Sequence, residues 1–312
     1  MSRPATSRFV SSRPARRAAL VLALTGITLA TAAANTNRIL RFETGAQLQG
    51  DLRNGPYNYS GKGGAAIRAS VGTISISAPQ AVFRAPSGTP IANAEGRRSA
   101  DFSGNVTVVR GRLTAKGAAL NYSEASGQGV LTGTPSAVFL PEKTGDDPVN
   151  ISATQMSLDV DTNMSTSTGS VRLINGKQTG RADTVVFDEG RELGVLTGNM
   201  SLSRSATAKA KELNIVGTEA RVLTKGKLLY VSGKVKLTQG TITTTGDAVY
   251  YDDTKNVAYV VGHAVSVDSK AGTTVTARPN AALEQRTDLG RVRAIDAGYA
   301  IPVAQFKLTG EK

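Results

Sequence analysis

Three glycines, Gly104, Gly169 and Gly233, each begin a segment of the form Gly-x-Val-x-(Val/Leu), and successive copies lie 65 and 64 residues apart. Each copy has a second glycine after 7 residues, an aromatic residue after 18 and a third glycine after 29. These positions hold Gly111, Gly176 and Gly240, then Tyr122, Phe187 and Tyr251, then Gly133, Gly198 and Gly262. Constant spacing between variable residues is typical of a stacked structural unit. We therefore expect a repeat architecture rather than a fold built around one catalytic pocket.

Apolar residues alternate with polar ones inside each copy, which predicts half-buried β-strands. The apolar positions of the two strands in each copy are Val106, Val108, Leu120 and Tyr122, then Val171, Leu173, Val185 and Phe187, then Val235, Leu237, Val249 and Tyr251. The middle glycine, as in Asn175-Gly176, stands between the two strands and predicts a type I′ hairpin turn. No convincing amphipathic helix follows residue 34, so we predict an all-β chain of about seven antiparallel hairpin modules.

Acidic residues follow the aromatic position of every copy. They are Glu124, the pair Asp188-Glu189 and the pair Asp252-Asp253. A further pair, Asp146-Asp147, lies in the stretch 141–150, which is rich in Pro, Gly and Asp and predicts a loop, as does the stretch 85–96. Paired carboxylates could serve a glycosidase, and a loose Ca²⁺ site is another interpretation. Since two of the pairs occupy equivalent turn positions, we interpret them as solvated turn residues.

The first 34 residues have the layout of a secretory signal. Five arginines within the first 17 residues form a basic region, an uncharged apolar stretch covers 18–30, and Ala32-Ala33-Ala34 offers a cleavage site before Asn35. The apolar stretch is shorter than the roughly 20 residues of a spanning helix, and an uncleaved anchor is the alternative. We predict a signal peptide over 1–34 and export to the periplasm or cell envelope. The chain has no cysteine, so the exported protein would use no disulfides.

Composition argues against several classes of function. The net charge is +13, and removal of the five leader arginines leaves about +8. Aromatic residues make up only 5% of the chain, and its lysines and arginines are dispersed, so nucleic acid is not an expected partner. His263 is the one histidine, which argues against a metal site built from His and Cys and against a His-based triad, and we interpret it as an exposed strand residue. No cofactor and no catalytic residue is predicted.

The third copy carries a resemblance to a known family. Its sequence runs VSGKVKLTQGTI at 231–242, GDAVYYD at 246–252 and VVGHAV at 260–265. This pattern resembles the OstA-like (LptA-type) family, whose members include periplasmic lipopolysaccharide-transport proteins. The copies that begin at Gly104 and Gly169 match in the same register. With weaker copies between them, the resemblance covers most of residues 40 to 300.

The resemblance implies an extended β-jellyroll, or half-open β-taco, with an apolar groove for acyl chains that the twelve alternating apolar residues would line. It also implies that such domains join end to end through open strand edges into a bridge to the outer membrane. The number of repeats predicts two OstA-like units in tandem, 35–145 and 146–312, with one extended stack as the alternative.

From these observations we expect a non-enzymatic periplasmic protein that binds lipopolysaccharide or another acylated envelope lipid and helps convey it to the outer membrane. Its expected partners are other OstA-like domains and, end to end, further copies of this chain. The alternative is a structural or adhesive, self-assembling β-solenoid of the envelope without lipid cargo.

Overall fold

The computed structural model describes residues 35–43, 45–208, 210–295 and 298–312, so the predicted leader lies outside the described residues. The all-β prediction is confirmed, because the described residues form 25 strands and contain no α-helix. Short 3-10 helices lie at Thr36–Arg38, Lys62–Gly64, Ile91–Asn93 and Val303–Phe306.

The strands are short except for three pairs of 11 or 12 residues. The first twelve are β1 (Arg41–Phe42), β2 (Ala46–Gln49), β3 (Tyr57–Gly61), β4 (Ile67–Val71), β5 (Ile74–Ala78), β6 (Gln80–Arg84), β7 (Ser99–Arg110), β8 (Leu113–Ser123), β9 (Gln128–Thr132), β10 (Ser136–Phe139), β11 (Val149–Ser152) and β12 (Gln155–Asp159). The others are β13 (Met164–Asn175), β14 (Gln178–Asp188), β15 (Leu193–Thr197), β16 (Ser201–Arg204), β17 (Leu213–Val216), β18 (Glu219–Leu223), β19 (Leu228–Gln239), β20 (Ile242–Asp252), β21 (Val257–Val261), β22 (Val265–Asp268), β23 (Thr273–Thr276), β24 (Ala282–Arg286) and β25 (Arg291–Ile295).

The glycines that begin the repeats lie inside the long strands β7, β13 and β19 and bend them. The register of each strand with its partner shifts once, for example between Ser103 and Val106. At each shift a glycine and the residue after it have positive φ: Gly104 and Asn105 (85° and 67°), Gly169 and Ser170 (78° and 48°), and Gly233 and Lys234 (83° and 51°). These glycines therefore form bulges that turn the strand without ending it.

The third glycine of each repeat makes the same bend between two shorter strands. The residue pairs concerned are Gly133 and Thr134 (78° and 52°), Gly198 and Asn199 (73° and 44°), and Gly262 and His263 (71° and 49°). The first and third glycines of the repeat are thus structurally equivalent, and the repeating unit of the fold is one hairpin.

Replacing Gly169 with alanine is expected to lower the free energy of unfolding by about 2 kcal/mol, because L-residues are strained at positive φ. The new Cβ would also lie 2.6 Å from the Thr154 hydroxyl oxygen. The matched control is Ser170→Gly, which relieves a positive φ at the next residue and should leave stability unchanged or slightly raised. Urea unfolding of the three proteins measures both effects, and a Gly169→Ala variant as stable as the unaltered chain would contradict the prediction.

The bends divide the strands into two half-sheets of antiparallel neighbours. The first half-sheet has the order β2-β3-β6-β7-β8-β9-β12-β13-β14-β15-β18-β19-β20-β21-β24-β25. The second has the order β1-β4-β5-β7-β8-β10-β11-β13-β14-β16-β17-β19-β20-β22-β23. One half of each long strand belongs to the first half-sheet, and the other half belongs to the second.

The two half-sheets fold toward each other about the bends, as the sides of a V. In a flat sheet, the two ends of a 12-residue strand would be about 36 Å apart. Yet Arg110, at the end of β7 in the second half-sheet, hydrogen-bonds Glu189, just beyond β14 in the first half-sheet. One hydrophobic cluster, running from Leu40 to Leu283, fills the space between the half-sheets. This architecture agrees with the β-taco that the family resemblance implies.

The middle glycines turn the hairpins, but not in the predicted conformation. Gly111 and Arg112 join β7 to β8, and of these two residues only Gly111 has a positive φ, at 52°. Gly176 (56°) and Gly240 (57°) take the same position in the other copies. A type I′ turn needs two positive φ angles, whereas one at the first position is typical of type II′. The type I′ prediction is wrong because the residue before each glycine still belongs to the strand.

The sheet continues through the predicted boundary between two units. The long connection at 140–148 joins β10 to β11, as predicted for a loop there, but these two strands pair directly with each other. Phe139 and Val149, on either side of the connection, belong to the same hydrophobic cluster. The division into units 35–145 and 146–312 therefore stays a prediction.

The C-terminal segment 298–312 lies across the outer face of the first half-sheet. Phe306 is fully buried against outward tyrosines of β19 and β20. The Arg221 guanidinium on β18 donates two hydrogen bonds of 2.7 Å to the Glu311 carboxylate and lowers its pKa to about 2. The segment thus ties neighbouring strands together on the outside and leaves the interior to the core residues.

Candidate functional site: the apolar interior and its mouth

All twelve apolar residues predicted from the repeats lie in the interior between the half-sheets. Each is at most 3% exposed and belongs to the single hydrophobic cluster. They are Val106, Val108, Leu120, Tyr122, Val171, Leu173, Val185, Phe187, Val235, Leu237, Val249 and Tyr251. The alternation therefore identifies the inward face of these strands. Contact of these residues with a lipid stays a prediction.

The interior is packed by its own side chains. An apolar cavity beside Leu173, Leu202, Leu213 and Tyr251 has a volume of about 40 Å³. This volume is close to the share of one water molecule in the liquid, about 30 Å³. The cavity is too small for an acyl chain, so a lipid could enter this region only if the half-sheets separated.

The N-terminal end of the interior is aromatic and reaches the surface. The rings of Phe42 and Tyr59 stack with centroids 3.8 Å apart, and Phe83 and Phe102 lie 5.5 and 5.8 Å from the Phe42 ring. Phe42 and Tyr59 are half-buried. This end therefore presents aromatic surface to the solvent.

The free ends of the half-sheets meet along a line opposite the bends, which we name the mouth. Its first rim consists of the turns of the first half-sheet at 124–127, 160–163, 189–192, 224–227, 253–256 and 287–290. Its second rim consists of the connections of the second half-sheet at 72–73, 111–112, 140–148, 176–177, 205–208, 240–241 and 269–272. Side chains link the rims, and within the described ranges no backbone–backbone hydrogen bond crosses from one rim to the other.

Arg110 makes the most buried ion pair across the mouth. Its Nε donates to Glu189 Oε2 at 3.1 Å, and its Nη1 donates to the Asp159 carbonyl oxygen at 2.5 Å. Its Nη2 also pairs with Glu189 and reaches the Met164 carbonyl oxygen at 3.4 Å. The side chains of Arg110 and Glu189 are only 4% and 9% exposed. Burial raises the pKa of the Glu189 carboxyl above its ordinary value, and the hydrogen bonds from Arg110 oppose that rise.

Two further ion pairs cross the mouth beside Arg110. Arg112 of the second rim donates to Glu192 of the first rim at 2.8 Å, and its guanidinium lies over the Phe139 ring at 4.4 Å. Lys225 of the first rim pairs with Glu142 of the second at 2.6 Å. The Lys225 pair is exposed on both sides, so it contributes little to stability.

Asp253 organises the mouth near the C-terminal end. It accepts a hydrogen bond of 2.9 Å from Gln178 of β14 and one of 2.5 Å from the Tyr251 hydroxyl. Arg204, at the end of β16, lies 3.7 Å from the same carboxylate and donates to the Asn256 side chain at 3.3 Å. One first-rim turn is thus held by two strands of the second half-sheet.

The segment 35–40 occupies the mouth near the N-terminal end. Arg38 donates to the Asp161 carboxylate at 2.8 Å, and its carbonyl oxygen accepts a hydrogen bond of 2.7 Å from the Tyr122 hydroxyl. Leu40 is buried in the hydrophobic cluster, and its backbone N–H donates to Glu124 at 3.0 Å. This segment therefore covers the mouth at one end, and side-chain hydrogen bonds and ion pairs bridge it at separate points elsewhere.

Comparison with known proteins gives one family. Residues 150–270 match the family model described as LptA/(LptD N-terminal domain) LPS transport protein. These residues are therefore similar to the OstA-like family. The matched residues include the second repeat and most of the third, and the resemblance inferred from the repeats is confirmed.

A solved structure is also similar to this chain. It is LptH, the LptA homologous periplasmic component of the lipopolysaccharide transport device from Pseudomonas aeruginosa. The identity is 13% and the TM-score 0.32, with 48% of this chain and 96% of that chain covered. No curated protein matches.

The acidic residues after the aromatic positions of the repeats are buried, so their interpretation as solvated turn residues is wrong. Glu124, Asp188, Glu189 and Asp252 are at most 8% exposed. Their carboxylates accept hydrogen bonds from arginines or from backbone N–H groups, among them those of Arg191 and Lys255 in the rim turns and of Thr309 in the C-terminal segment. The pair Asp146-Asp147, by contrast, lies at the surface of the long second-rim loop, where Asp147 is exposed.

The residues that close the mouth were missed by the sequence reasoning, although the alternation contains a signal for them. Arg110 continues the inward series of Val106 and Val108, and Arg204 occupies the corresponding end of β16. An arginine at an inward position of an apolar strand requires a buried partner. The sequence does not indicate which acidic residue supplies it, since Arg110 and Glu189 are 79 residues apart.

His263 lies at a bend between β21 and β22 rather than within a strand. Its side chain is 92% exposed, and Nδ1 lies 3.0 Å from the Asp247 carboxylate. No cluster of three or more His, Cys, Asp or Glu in the described part of the chain could hold a metal ion. In the same part, no helix is long and apolar enough to cross a membrane.

Proposed function

We propose that this chain is a non-enzymatic periplasmic protein that takes the acyl chains of lipopolysaccharide, or of a similar anionic lipid, into the interior between its half-sheets. It would then help convey that lipid to the outer membrane. The observation that carries the proposal is a difference between the two sides of the interior, the bends and the mouth. The bends are continuous backbone, whereas the mouth is held by side chains, so an apolar core can open along one line. The family match at 150–270 supports lipopolysaccharide transport as the setting.

The magnitudes favour opening of the mouth when a lipid is present. Burying a dozen methylene groups of one acyl chain gains about 10 kcal/mol. Each side-chain hydrogen bond across the mouth contributes only about 1–3 kcal/mol, and the separated charged groups regain hydration. Several acyl chains would therefore offset the loss of the few links seen here. The predicted positive charge of the exported protein, about +8, would favour an anionic headgroup.

Photo-crosslinking tests this function directly. A photoreactive phenylalanine analogue at Val235 or Tyr251 is expected to label lipopolysaccharide, because both positions face the interior. The matched control is Lys236, the exposed neighbour of Val235 on the other face of the strand. Mass spectrometry of organic extracts would identify any lipid bound during expression. Protein that carries no lipid and labels none from any of these positions would contradict the proposal.

A structural role without lipid is the second candidate, and it is favoured by the close packing beside Tyr251, where the apolar cavity is only about 40 Å³. The terminal strands β2 and β25 each pair on one side only within the described residues, so they could join copies of the chain or other OstA-like domains. Concentration-dependent assembly of lipid-free protein, with no binding of labelled lipopolysaccharide, would support this role over lipid transport.

A further inference from the structure

The C-terminal end of the interior is polar. Gln239, Thr244, Ser266 and Gln285 are at most 3% exposed, and they bond to one another across the space between the half-sheets. The Thr244 hydroxyl lies 2.8 Å from the Ser266 hydroxyl and donates to Gln285 Oε1 at 2.7 Å. Gln285 Nε2 donates to Gln239 Oε1 at 3.2 Å, and Gln239 Nε2 donates to the carbonyl oxygen of Thr287 in the first rim at 2.5 Å. We name these four side chains the polar plug.

Two members of the polar plug, Gln285 and Thr244, replace nonpolar residues of the earlier copies. Pairing registers place Gln285 on β24 where β6, β12 and β18 carry Phe83, Leu158 and Val222. The hairpin spacing places Thr244 where β8 and β14 carry Ala115 and Gly180. Apolar residues at these positions would continue the interior of the preceding repeats. The exchange is therefore confined to the last turn of the stack.

The position of the polar plug matters because it joins the two half-sheets. Thr244 and Gln239 belong to the second half-sheet, and Gln285 belongs to the first. The chain of hydrogen bonds thus crosses the interior and continues to the mouth at Thr287. An acyl chain passing this point would have to separate two glutamine amides that have no water to replace their partners. At the opposite end, the interior presents aromatic surface instead.

We propose that the polar plug closes the C-terminal end of the acyl-chain path, so that lipid enters and leaves on its N-terminal side, through the mouth or the aromatic end. This inference rests on the proposed lipid-binding function. Gln239, Thr244, Ser266 and Gln285 would then set how far along the stack a lipid extends. If these four residues served only to make the end of the stack soluble, they would lie on its solvent-exposed face. All four are buried instead.

The test uses the full exported chain, labelled lipopolysaccharide and a photoreactive residue at one of three positions. Leu237 lies on the N-terminal side of the polar plug, Val275 on β23 packs against the core behind it, and outward-facing Val267 serves as the background. We expect labelling at Leu237 to exceed that at Val275 at least tenfold, with Val275 at the level of Val267. In the variant Thr244→Val/Ser266→Ala/Gln285→Leu, labelling at Val275 should rise toward that at Leu237.

The outcomes separate this inference from the proposed function. Equal labelling at Leu237 and Val275 in the unaltered chain would overturn the closed end and leave lipid binding supported. Labelling at Val275 that stays at background in a folded triple variant would also overturn it. Absence of labelling at both positions would overturn the proposed function together with the inference. If the triple variant fails to fold, Gln285→Met alone replaces it, with the same expected direction at Val275.

Discussion

Cross-linking the two rims of the mouth is expected to abolish lipid loading. The chain has no cysteine, so Arg112→Cys/Glu192→Cys introduces one reactive pair at opposing turns, where the native side chains lie 2.8 Å apart. A short bismaleimide would then hold the half-sheets together. If every acyl chain enters through this line, the loading rate of labelled lipopolysaccharide should fall at least about tenfold, as for a locked lid.

The control cross-links two turns of the same rim. Glu192→Cys/Lys225→Cys joins neighbouring first-rim turns, which are already linked by the backbone hydrogen bond from Thr224 to Glu192. This bridge leaves the mouth free to open, so loading should match that of the uncross-linked protein. Undiminished loading of the Arg112/Glu192 cross-linked protein would show that lipid does not enter between these rims.

Replacing Arg110 with methionine is expected to lower the free energy of unfolding by about 3 kcal/mol at pH 8, because it leaves the Glu189 carboxylate buried without its partner. The double variant Arg110→Met/Glu189→Met should recover most of this loss, since two apolar side chains of similar volume replace the ion pair. Urea unfolding of both single variants and the double variant gives the coupling between the two residues.

The same variant has a defined pH dependence. Burial already raises the pKa of Glu189 in the folded protein, and loss of Arg110 removes the contact that opposes this rise. For an acid whose pKa is raised by folding, the favourable contribution is complete below the ordinary value, 4.5, and is lost as the pH rises through the folded value. The defect of Arg110→Met should therefore shrink between pH 8 and pH 4.5. An equal defect at both pH values would assign the loss to the bonds from Arg110 to the Asp159 and Met164 carbonyl oxygens.

The sequence predicts most of the strands and which of their residues face the interior. Successive side chains of a strand point to opposite faces of the sheet, so the residues that face the core are apolar at every second position. Val106, Val171 and Val235 follow this rule, since each stands between polar neighbours and faces the interior. The alternation is ambiguous where polar residues take inward positions. On β22 the apolar Val265 and Val267 face outward, and buried Ser266 is the inward residue.

Long-range pairing could not be predicted from the sequence. In the sequence alone, Gly104 and its equivalents could mark either a bulge within a strand or the end of a strand, because both give the same spacing between glycines. The partners of Glu124 and Glu189 depend on how the half-sheets meet, and the sequence contains no local signal for that contact. For the same reason, Gln239 and Gln285 were not predicted as a pair, since 46 residues separate them.

The absence of backbone hydrogen bonds between the described rims has a consequence for measurement. If the V opens as a rigid movement about its bends, every amide paired within a half-sheet keeps its partner. Amide exchange would then report the same protected strands in the open and closed states, although the interior had become accessible. Thiol labelling of Leu237→Cys measures the solvent accessibility of an interior side chain. It would therefore detect an opening that amide exchange does not report.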